Sequence, residues 1–455
     1  MTTLCSWRFL LVNHLRLSYN PFMGHAAGKD IYKQLAGKID GLAIRTPFNQ
    51  TFYDLLKELY SSEEADVVIK MPFVLSDLNR ITKVTKYEKP HLEKILQGLC
   101  AKGLVMDMWI KEKYYYMPSP MFVGIFELTM MRVGEASSKW AKFFYEYMHD
   151  SDLFKANFSS GEKISIARAL PHEEVLSEYT EILDYEKATA LVGEFDKFSI
   201  SICSCRHEKH HLGKKTCDTP LEVCTSFGMA ADYLIRNNLA KKVSKEQIIE
   251  RIEASKEASL VLNADNVQKN ITFICHCCSC CCNLLAGIKE FGYPNTVVTS
   301  NFIAKVDQEK CGGVCGKCAK ACAIGAITIE PLENPTKRKR ANCFINEDIC
   351  LGCGVCALNC KSGVLKLVKR KKRVLHPETT FERVILQSLE RGTLQNLLFA
   401  NPQSITQDFM RGFVGGFLRL KPVKRALISN TLRSTFLAMI KAGSIVERKG
   451  HMINI

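Results

Sequence analysis

Residues 350–360 of this chain read CLGCGVCALNC. The cysteines of this stretch have the C-x2-C-x2-C-x3-C spacing of a run that binds a [4Fe-4S] cluster. A similar run, CGGVCGKCAKAC, lies upstream at residues 311–322. Three closely spaced thiolates bind three corners of a cubane, and the fourth reaches the other cluster when two runs are paired. The sequence therefore predicts two clusters.

Paired runs predict crossed ligand sets: Cys311, Cys315 and Cys318 with Cys360, and Cys350, Cys353 and Cys356 with Cys322. A pair of structural zinc sites is the alternative, because sets of four cysteines also bind zinc. Zinc ribbons use two CxxC pairs rather than runs of three plus one, and this difference favours iron–sulfur clusters.

Short apolar stretches follow both runs, at residues 324–329 and 364–367. They are typical of the strands that close each half of a βαββαβ core. With these strands, residues 305–368 resemble the two-[4Fe-4S] bacterial ferredoxin domain. We place a dicluster ferredoxin-type domain at residues 301–370.

The sequence departs from the ferredoxin pattern at three places. Three residues, rather than two, separate Cys311 from Cys315. Ala323 and Lys361 stand where proline usually follows the fourth cysteine of each run. The extra residue in the first run lies in a loop with two glycines, which bulge easily.

The composition indicates a multidomain protein of the cytoplasm. A chain of 455 residues predicts two to four domains. Its 21 cysteines suit metal ligation in a reducing cytosol better than disulfides. No stretch reaches the roughly 18 uninterrupted apolar residues of a membrane helix. We interpret residues 1–29 as a tail, because the apolar run at 9–12 is too short for a signal peptide.

Residues 30–132 have the pattern of a winged-helix-like domain. Amphipathic helix patterns at residues 49–60 and 91–102 precede two strand patterns that flank Lys111 and Glu112. Winged helices often place their third helix in a DNA groove. Residues 91–102 are only mildly basic, so a domain that docks proteins is favoured over one that reads nucleic acid.

Residues 133–300 predict a cysteine-rich and mainly helical domain, and residues 380–455 a basic helical region. The last part of the chain, from residue 361, holds 18 Lys and Arg residues against 5 Asp and Glu residues. This charge suggests an acidic partner. The apolar face of Phe409, Phe413, Phe417 and Leu420 is compatible with peripheral membrane contact. The favoured interpretation is that this face packs inward.

A second cysteine block lies between residues 203 and 282, and its dense run ICHCCSCCC ends at Cys282. Thiolates at this density repel one another unless a metal neutralises them. We therefore predict a third iron–sulfur or zinc site, with ligands among Cys203, Cys205, Cys217, Cys224, Cys275, Cys277, Cys278 and Cys280. Redox-active or structural free thiols are the alternative.

Charged and basic residues follow the first cysteines of this block. His207, His210 and His211 keep zinc open as the metal. Arg206 has two interpretations: it neutralises a metal cluster, or it pairs with a neighbouring carboxylate, which is commoner for an arginine.

A wider resemblance covers most of the chain from Met23. The stretches GKDIYKQLAGKID, MPSPMFVGIFEL, SICSCR, CDTPLEVCTSFGMAADYLI and ICHCCSCCC are similar to those of ferredoxin-type proteins of anaerobic bacteria and archaea. Members of that family join a winged-helix-like front end to a cysteine-rich middle and a dicluster domain. The asparagine usual after the first cysteine of the dense run is His276 here. The resemblance implies two [4Fe-4S] clusters and cytoplasmic redox work.

Three functions follow from these patterns. The first is an electron-transfer protein or redox subunit that serves a partner redox protein or oxidoreductase. The second is an oxidoreductase whose active site is the cysteine block at residues 203–282. The third is a redox-sensing regulator that acts through its winged helix. An electron carrier is favoured over a stand-alone enzyme, because no nucleotide-binding glycine motif or catalytic triad is present.

Overall fold

The computed structural model describes residues 30–150, 152–176, 183–336, 339–429 and 431–446. These residues form a mixed α and β structure with strands in four sheets. The tail predicted at residues 1–29 lies outside them. In the described part of the chain, no helix is long and apolar enough to cross a membrane.

Five helices and a three-stranded antiparallel sheet form residues 30–118, the larger part of the first region at residues 30–132. Its elements are α1 (Ile31–Asp40), α2 (Gln50–Leu59), α3 (Ser62–Lys70), β1 (Ser76–Asp77), α4 (Leu78–Thr85), α5 (Lys89–Lys102), β2 (Val105–Ile110) and β3 (Lys113–Pro118). Proline in the first turn begins α5, and Gly103, with a φ of 79°, ends it. The helices and hairpin predicted here are confirmed, whereas the winged-helix assignment stays a prediction.

The middle region contains a seven-stranded sheet that the prediction of a mainly helical domain missed. The strand order is β10-β4-β8-β9-β6-β5-β7, antiparallel except for the β10–β4 pair. Its strands are only two to six residues long and are mostly separated by helices. The sequence pattern that predicts strands was therefore weak. The strands are β4 (Ala167–Leu170), β5 (Phe198–Ile202), β6 (Glu222–Phe227), β7 (Ala240–Val243), β8 (Val261–Asp265), β9 (Phe273–Cys277) and β10 (Val297–Val298).

Eight helices precede or surround this sheet. They are α6 (Phe126–Met130), α7 (Ser137–His149), α8 (Asp152–Phe158), α9 (Ala188–Gly193), α10 (Ser204–His211), α11 (Gly228–Arg236), α12 (Lys245–Glu257) and α13 (Asn283–Lys289). Aromatic side chains of α7 are buried, with Trp140, Phe144 and Tyr147 in the core.

The next region, which carries both cysteine runs, has elements in the order β-α-β-β-α-β. They are β11 (Phe302–Val306), α14 (Lys317–Ala321), β12 (Ile327–Pro331), β13 (Ala341–Ile345), α15 (Val355–Leu358) and β14 (Leu365–Lys369). β11 pairs with β14 and β12 pairs with β13, both antiparallel. Strands thus follow both runs where the apolar stretches predicted them.

The C-terminal region is helical, as predicted, with α16 (Thr380–Arg391), α17 (Leu394–Leu398), α18 (Ile405–Leu418), α19 (Lys421–Ile428) and α20 (Arg433–Val446). The glycines of α18 do not break the helix. The expectation that its apolar face packs inward is wrong, because Phe409 is 73% exposed and Phe413 71% exposed. An amphipathic pattern shows that a helix has an apolar face but not what covers that face.

Hydrogen bonds from Arg391 connect the C-terminal region to the middle region. Its buried Nε donates to Asn157 Oδ1 at 2.7 Å, and its Nη1 donates to the carbonyl oxygen of Ile164 at 3.0 Å. The same Asn157 oxygen accepts from the backbone nitrogen of Arg45. One guanidinium therefore joins α16 to α8 and to the chain that enters β4.

Replacing Arg391 by alanine should destabilise the protein by about 3 kcal/mol, since buried acceptors lose their charged donor. The expected result is a lower midpoint of thermal unfolding, followed by circular dichroism. The matched control is Arg425→Ala on exposed α19. Equal midpoints for the two variants would contradict this role for Arg391.

Candidate metal centres

Four cysteines from both runs form one set, here called group II: Cys322, Cys350, Cys353 and Cys356. The thiol of Cys353 interacts electrostatically with those of Cys322 and Cys350, and burial raises its pKa to about 12. Cys356 interacts with the other three thiols, and burial raises its pKa as well. This is the grouping of the second run with Cys322 that the crossed arrangement predicts.

Group II surrounds an apolar cavity. Its four cysteines line the cavity together with aliphatic side chains that include Val261, Ile324 and Leu367. Gly352 makes the tight loop possible, because it has a φ of 68° and a Cβ there would lie 2.1 Å from the Phe302 carbonyl oxygen. Sulfur donors around a dry cavity are the setting that a [4Fe-4S] cluster requires. The residues present fit that group.

The remaining cysteines of the runs form group I: Cys311, Cys315, Cys318 and Cys360. Cys318 interacts electrostatically with Cys311 and Cys315. A further cysteine, Cys343 on β13, interacts with Cys318, Cys311 and Cys360, and so places Cys360 in this group. Cys343 is fully buried, and its Sγ lies 3.8 Å from that of Cys318. Sequence spacing does not point to Cys343, because it lies outside both runs.

The irregular spacing of the first run is explained by its contact with β13. Gly313 has a φ of 66°, and a Cβ there would lie 2.1 Å from the carbonyl oxygen of Ala341. The backbone nitrogen of Arg340 also donates to the Gly312 carbonyl oxygen at 3.0 Å. The extra residue between Cys311 and Cys315 therefore packs against the start of the strand that carries Cys343.

The cysteine block of the middle region divides into two sets. The four-thiol group is Cys217, Cys278, Cys280 and Cys281, whose Sγ atoms all lie within 4.8 Å of one another. The six-thiol group is Cys203, Cys205, Cys224, Cys275, Cys277 and Cys282. Successive thiol contacts link its members, from Cys203 through Cys205, Cys282, Cys277 and Cys275 to Cys224.

The four-thiol group has the spacing of a site for one metal ion. The Sγ atom of Cys278 lies 3.6 Å from those of Cys217 and Cys280, and Cys280 lies 3.4 Å from Cys281. Sulfurs about 2.3 Å from a tetrahedral ion are about 3.8 Å apart. Cubane ligands bind separate iron atoms and stand farther apart. The group therefore suits a tetrahedral ion such as zinc or iron.

Arg206 lies between the two sets. Its guanidinium interacts with Cys203 and Cys277 of the six-thiol group and with Cys217 and Cys278 of the four-thiol group, and these thiols raise its pKa against the effect of burial. Its Nη2 donates to the carbonyl oxygen of His276 at 2.6 Å. Of the two interpretations of Arg206, its surroundings favour the neutralisation of metal-bound thiolates.

The eight candidate ligands in this block thus fall into separate sets. Five of them join the six-thiol group with Cys282, and three join the four-thiol group with Cys281. Both added cysteines belong to the dense run, whose turn geometry the sequence does not reveal. His207 contacts the carbonyl oxygen of Met130 and His211, and the four-thiol group is made of cysteines alone.

The six-thiol group and group II share one hydrophobic core. Cys277 and Cys282 pack in the same cluster as Ile324, Leu351 and Val355, with Cys322 and Cys353 at its edge. Val261 lines the cavity of group II and lies opposite Cys277 in the β8–β9 pair. Partners in such a pair have Cβ atoms about 5 Å apart. Val261 is therefore next to both sets.

Comparison with known proteins supports an iron–sulfur assignment. A family model described as a 4Fe-4S dicluster domain matches residues 310–364, which include every cysteine of groups I and II. No curated protein and no solved structure matches the chain. The match and the thiol geometry identify an iron–sulfur protein with at least one [4Fe-4S] cluster and a cysteine group suited to a further metal.

Replacing Cys217 or Cys281 by alanine should remove about one metal ion per chain, because a tetrahedral site loses one of its four ligands. The measurement is elemental analysis of anaerobically purified protein for zinc and iron. Cys100→Ala is the matched control, because Cys100 is a buried cysteine outside both groups. Unchanged metal in both site variants would exclude a metal at this group.

Proposed function

We propose that this protein is a cytoplasmic electron-transfer protein, or the redox subunit of a complex, with [4Fe-4S] clusters in groups I and II. The observation that carries the proposal is the crossed grouping of the two runs, with an apolar cavity at group II. A bound cluster would supply one-electron chemistry. If groups I and II held zinc instead, this domain would have no redox-active group.

The chain's own residues would hold the ligands and set their environment. The backbone nitrogen of Ala326 donates to Cys322 Sγ at 3.2 Å, and donors to sulfur raise the reduction potential. The wall of the cavity at group II is mainly aliphatic. Arg370 donates from Nη2 to the Cys350 carbonyl oxygen, which fixes the loop that begins the second run. Cys315 is exposed, so group I is the side open to an electron-exchange partner.

The exposed face of α18 offers a docking surface for that partner. Ile405, Phe409, Phe413 and Phe417 stand one turn apart and are 57–89% exposed. Lys421 and Arg425 on α19 are exposed beside the end of this stripe, and Asp408 is the acidic residue within it. Protein interfaces combine an apolar centre with a charged rim. We propose a redox partner whose rim is acidic.

Alanine variants test the crossing of the ligands. Cys322→Ala should give the same EPR spectrum as Cys353→Ala, and Cys360→Ala the same as Cys318→Ala, because each pair removes ligands of one group. Each variant should lose about four of about eight irons. If Cys322→Ala instead matched Cys318→Ala, each run would hold its own cluster. An unchanged iron count in all four variants would exclude clusters at these residues.

Charge reversal tests the partner surface. Lys421→Glu together with Arg425→Glu should slow electron transfer to an acidic flavodoxin about tenfold at low salt, and the difference should shrink at high salt. Lys142→Glu on α7, another exposed lysine, is the control. Equal rates for all three proteins would contradict an acidic partner. Binding of the wild type to phosphatidylserine vesicles but not to flavodoxin would replace the protein partner by a membrane surface.

A further inference from the structure

We infer that the six-thiol group binds a multinuclear iron–sulfur centre that exchanges electrons with group II. The centre is additional to the two clusters proposed above, and its electron exchange rests on that proposal. Three independent features carry the inference: the placement of thiols by the sheet, buried donors that face the sulfurs, and the shared core with group II.

The sheet places thiols and polar side chains in a row on one face. Asn263 on β8 lies opposite Cys275 on β9, and Ser201 on β5 lies opposite Cys224 on β6. The side chains of Cys224 and Cys275 are in contact, which joins the two halves of the row. Cys277 lies on the same face as Cys275, two residues along the strand.

Two helix starts complete the group from outside the sheet. Cys203 is the N-cap of α10, with Cys205 in its first turn, and Cys282 is the N-cap of α13. The Cys205 thiol contacts both Cys203 and Cys282. Two strands and two helix starts therefore supply a chain of six thiols in successive contact. Packing alone would not require sulfur at six positions.

Buried donors that face the sulfurs indicate an anionic occupant. Ser201 faces Cys224 and Asn263 faces Cys277, and both side chains are at least 97% buried. Neither side chain has an oxygen or nitrogen partner within the described ranges, and the same holds for Nε and Nη1 of Arg206. Each of these three side chains faces a cysteine sulfur instead. Thiolates and bridging sulfides of a metal centre would accept from these donors.

The number and type of ligands select the occupant. An all-sulfur donor set suits iron–sulfur centres, zinc or copper(I), and excludes hard cations. One tetrahedral ion uses four ligands, as the four-thiol group offers, whereas six thiols suit a centre with several metal atoms. The adjacency to group II favours iron, because zinc has no redox chemistry.

Val261 lies opposite Cys277 of the six-thiol group and lines the cavity of group II, so its side chain adjoins both sites. In the exchange, one electron leaves a reduced group II and one electron arrives at the six-thiol centre. The partner that reduces groups I and II is the source of that electron. The middle region would then store or use the electrons that the dicluster region delivers.

The experiment is metal and sulfide analysis, with Mössbauer spectroscopy, on full-length protein reconstituted anaerobically with iron-57 and sulfide. The wild type should hold roughly ten or more irons: about eight in groups I and II, at most one in the four-thiol group, and two or more in the six-thiol group. The Cys224→Ala and Cys277→Ala variants should lose only the irons of the six-thiol group. Both should keep the EPR signals of groups I and II. Cys100→Ala is the control for loss of a buried thiol.

A wild type with eight or nine irons would overturn the inference, and this count decides the matter even where a variant fails to fold. Disulfides among the six cysteines in freshly isolated protein would also overturn it. Either result, with the EPR signals of groups I and II intact, leaves the proposed electron-transfer function standing. Loss of those signals from the wild type would instead remove the proposed function.

Discussion

The antiparallel register of β9 between β8 and β6 determines which cysteines of the middle region share one face of the sheet. Residues alternate between faces, so Cys275 and Cys277 share one face while His276 takes the other. His276 is buried there, and its Nδ1 lies 2.6 Å from Ser255 Oγ. Burial lowers the pKa of His276 to about 3, so it stays neutral. A slip of one residue would put this histidine among the thiols and turn both cysteines away.

Charge explains why the two cysteine sets of the middle region lie on either side of Arg206. Thiolates concentrate negative charge when they bind a metal, and a buried cation between two such sets lowers the energy of both. The buried guanidinium is itself held by thiols of each set and by the carbonyl oxygen of His276. Occupation of one set should therefore influence the other through this residue, which makes Arg206 the electrostatic link within the block.

The sequence predicted the parts of the site that depend on local spacing. The run at 350–360 specifies three of the four thiols of group II, because three cysteines in one short loop converge wherever the loop lies. The division of the block at 203–282 depends on strand register and on a tight turn, which separates Cys277 from the adjacent Cys278. Cys343 joins group I only through the packing of β13. The exposed stripe of α18 was misjudged because a buried helix and a docking helix share one pattern.

The measurement that tests the central claim most directly is a redox titration of the anaerobic full-length protein followed by EPR spectroscopy. Two [4Fe-4S] clusters at groups I and II predict two spin-coupled signals that appear on reduction and account for about two spins per chain. A protein that stays EPR-silent at every potential and carries zinc in place of iron would contradict electron transfer and would make both cysteine runs structural zinc sites.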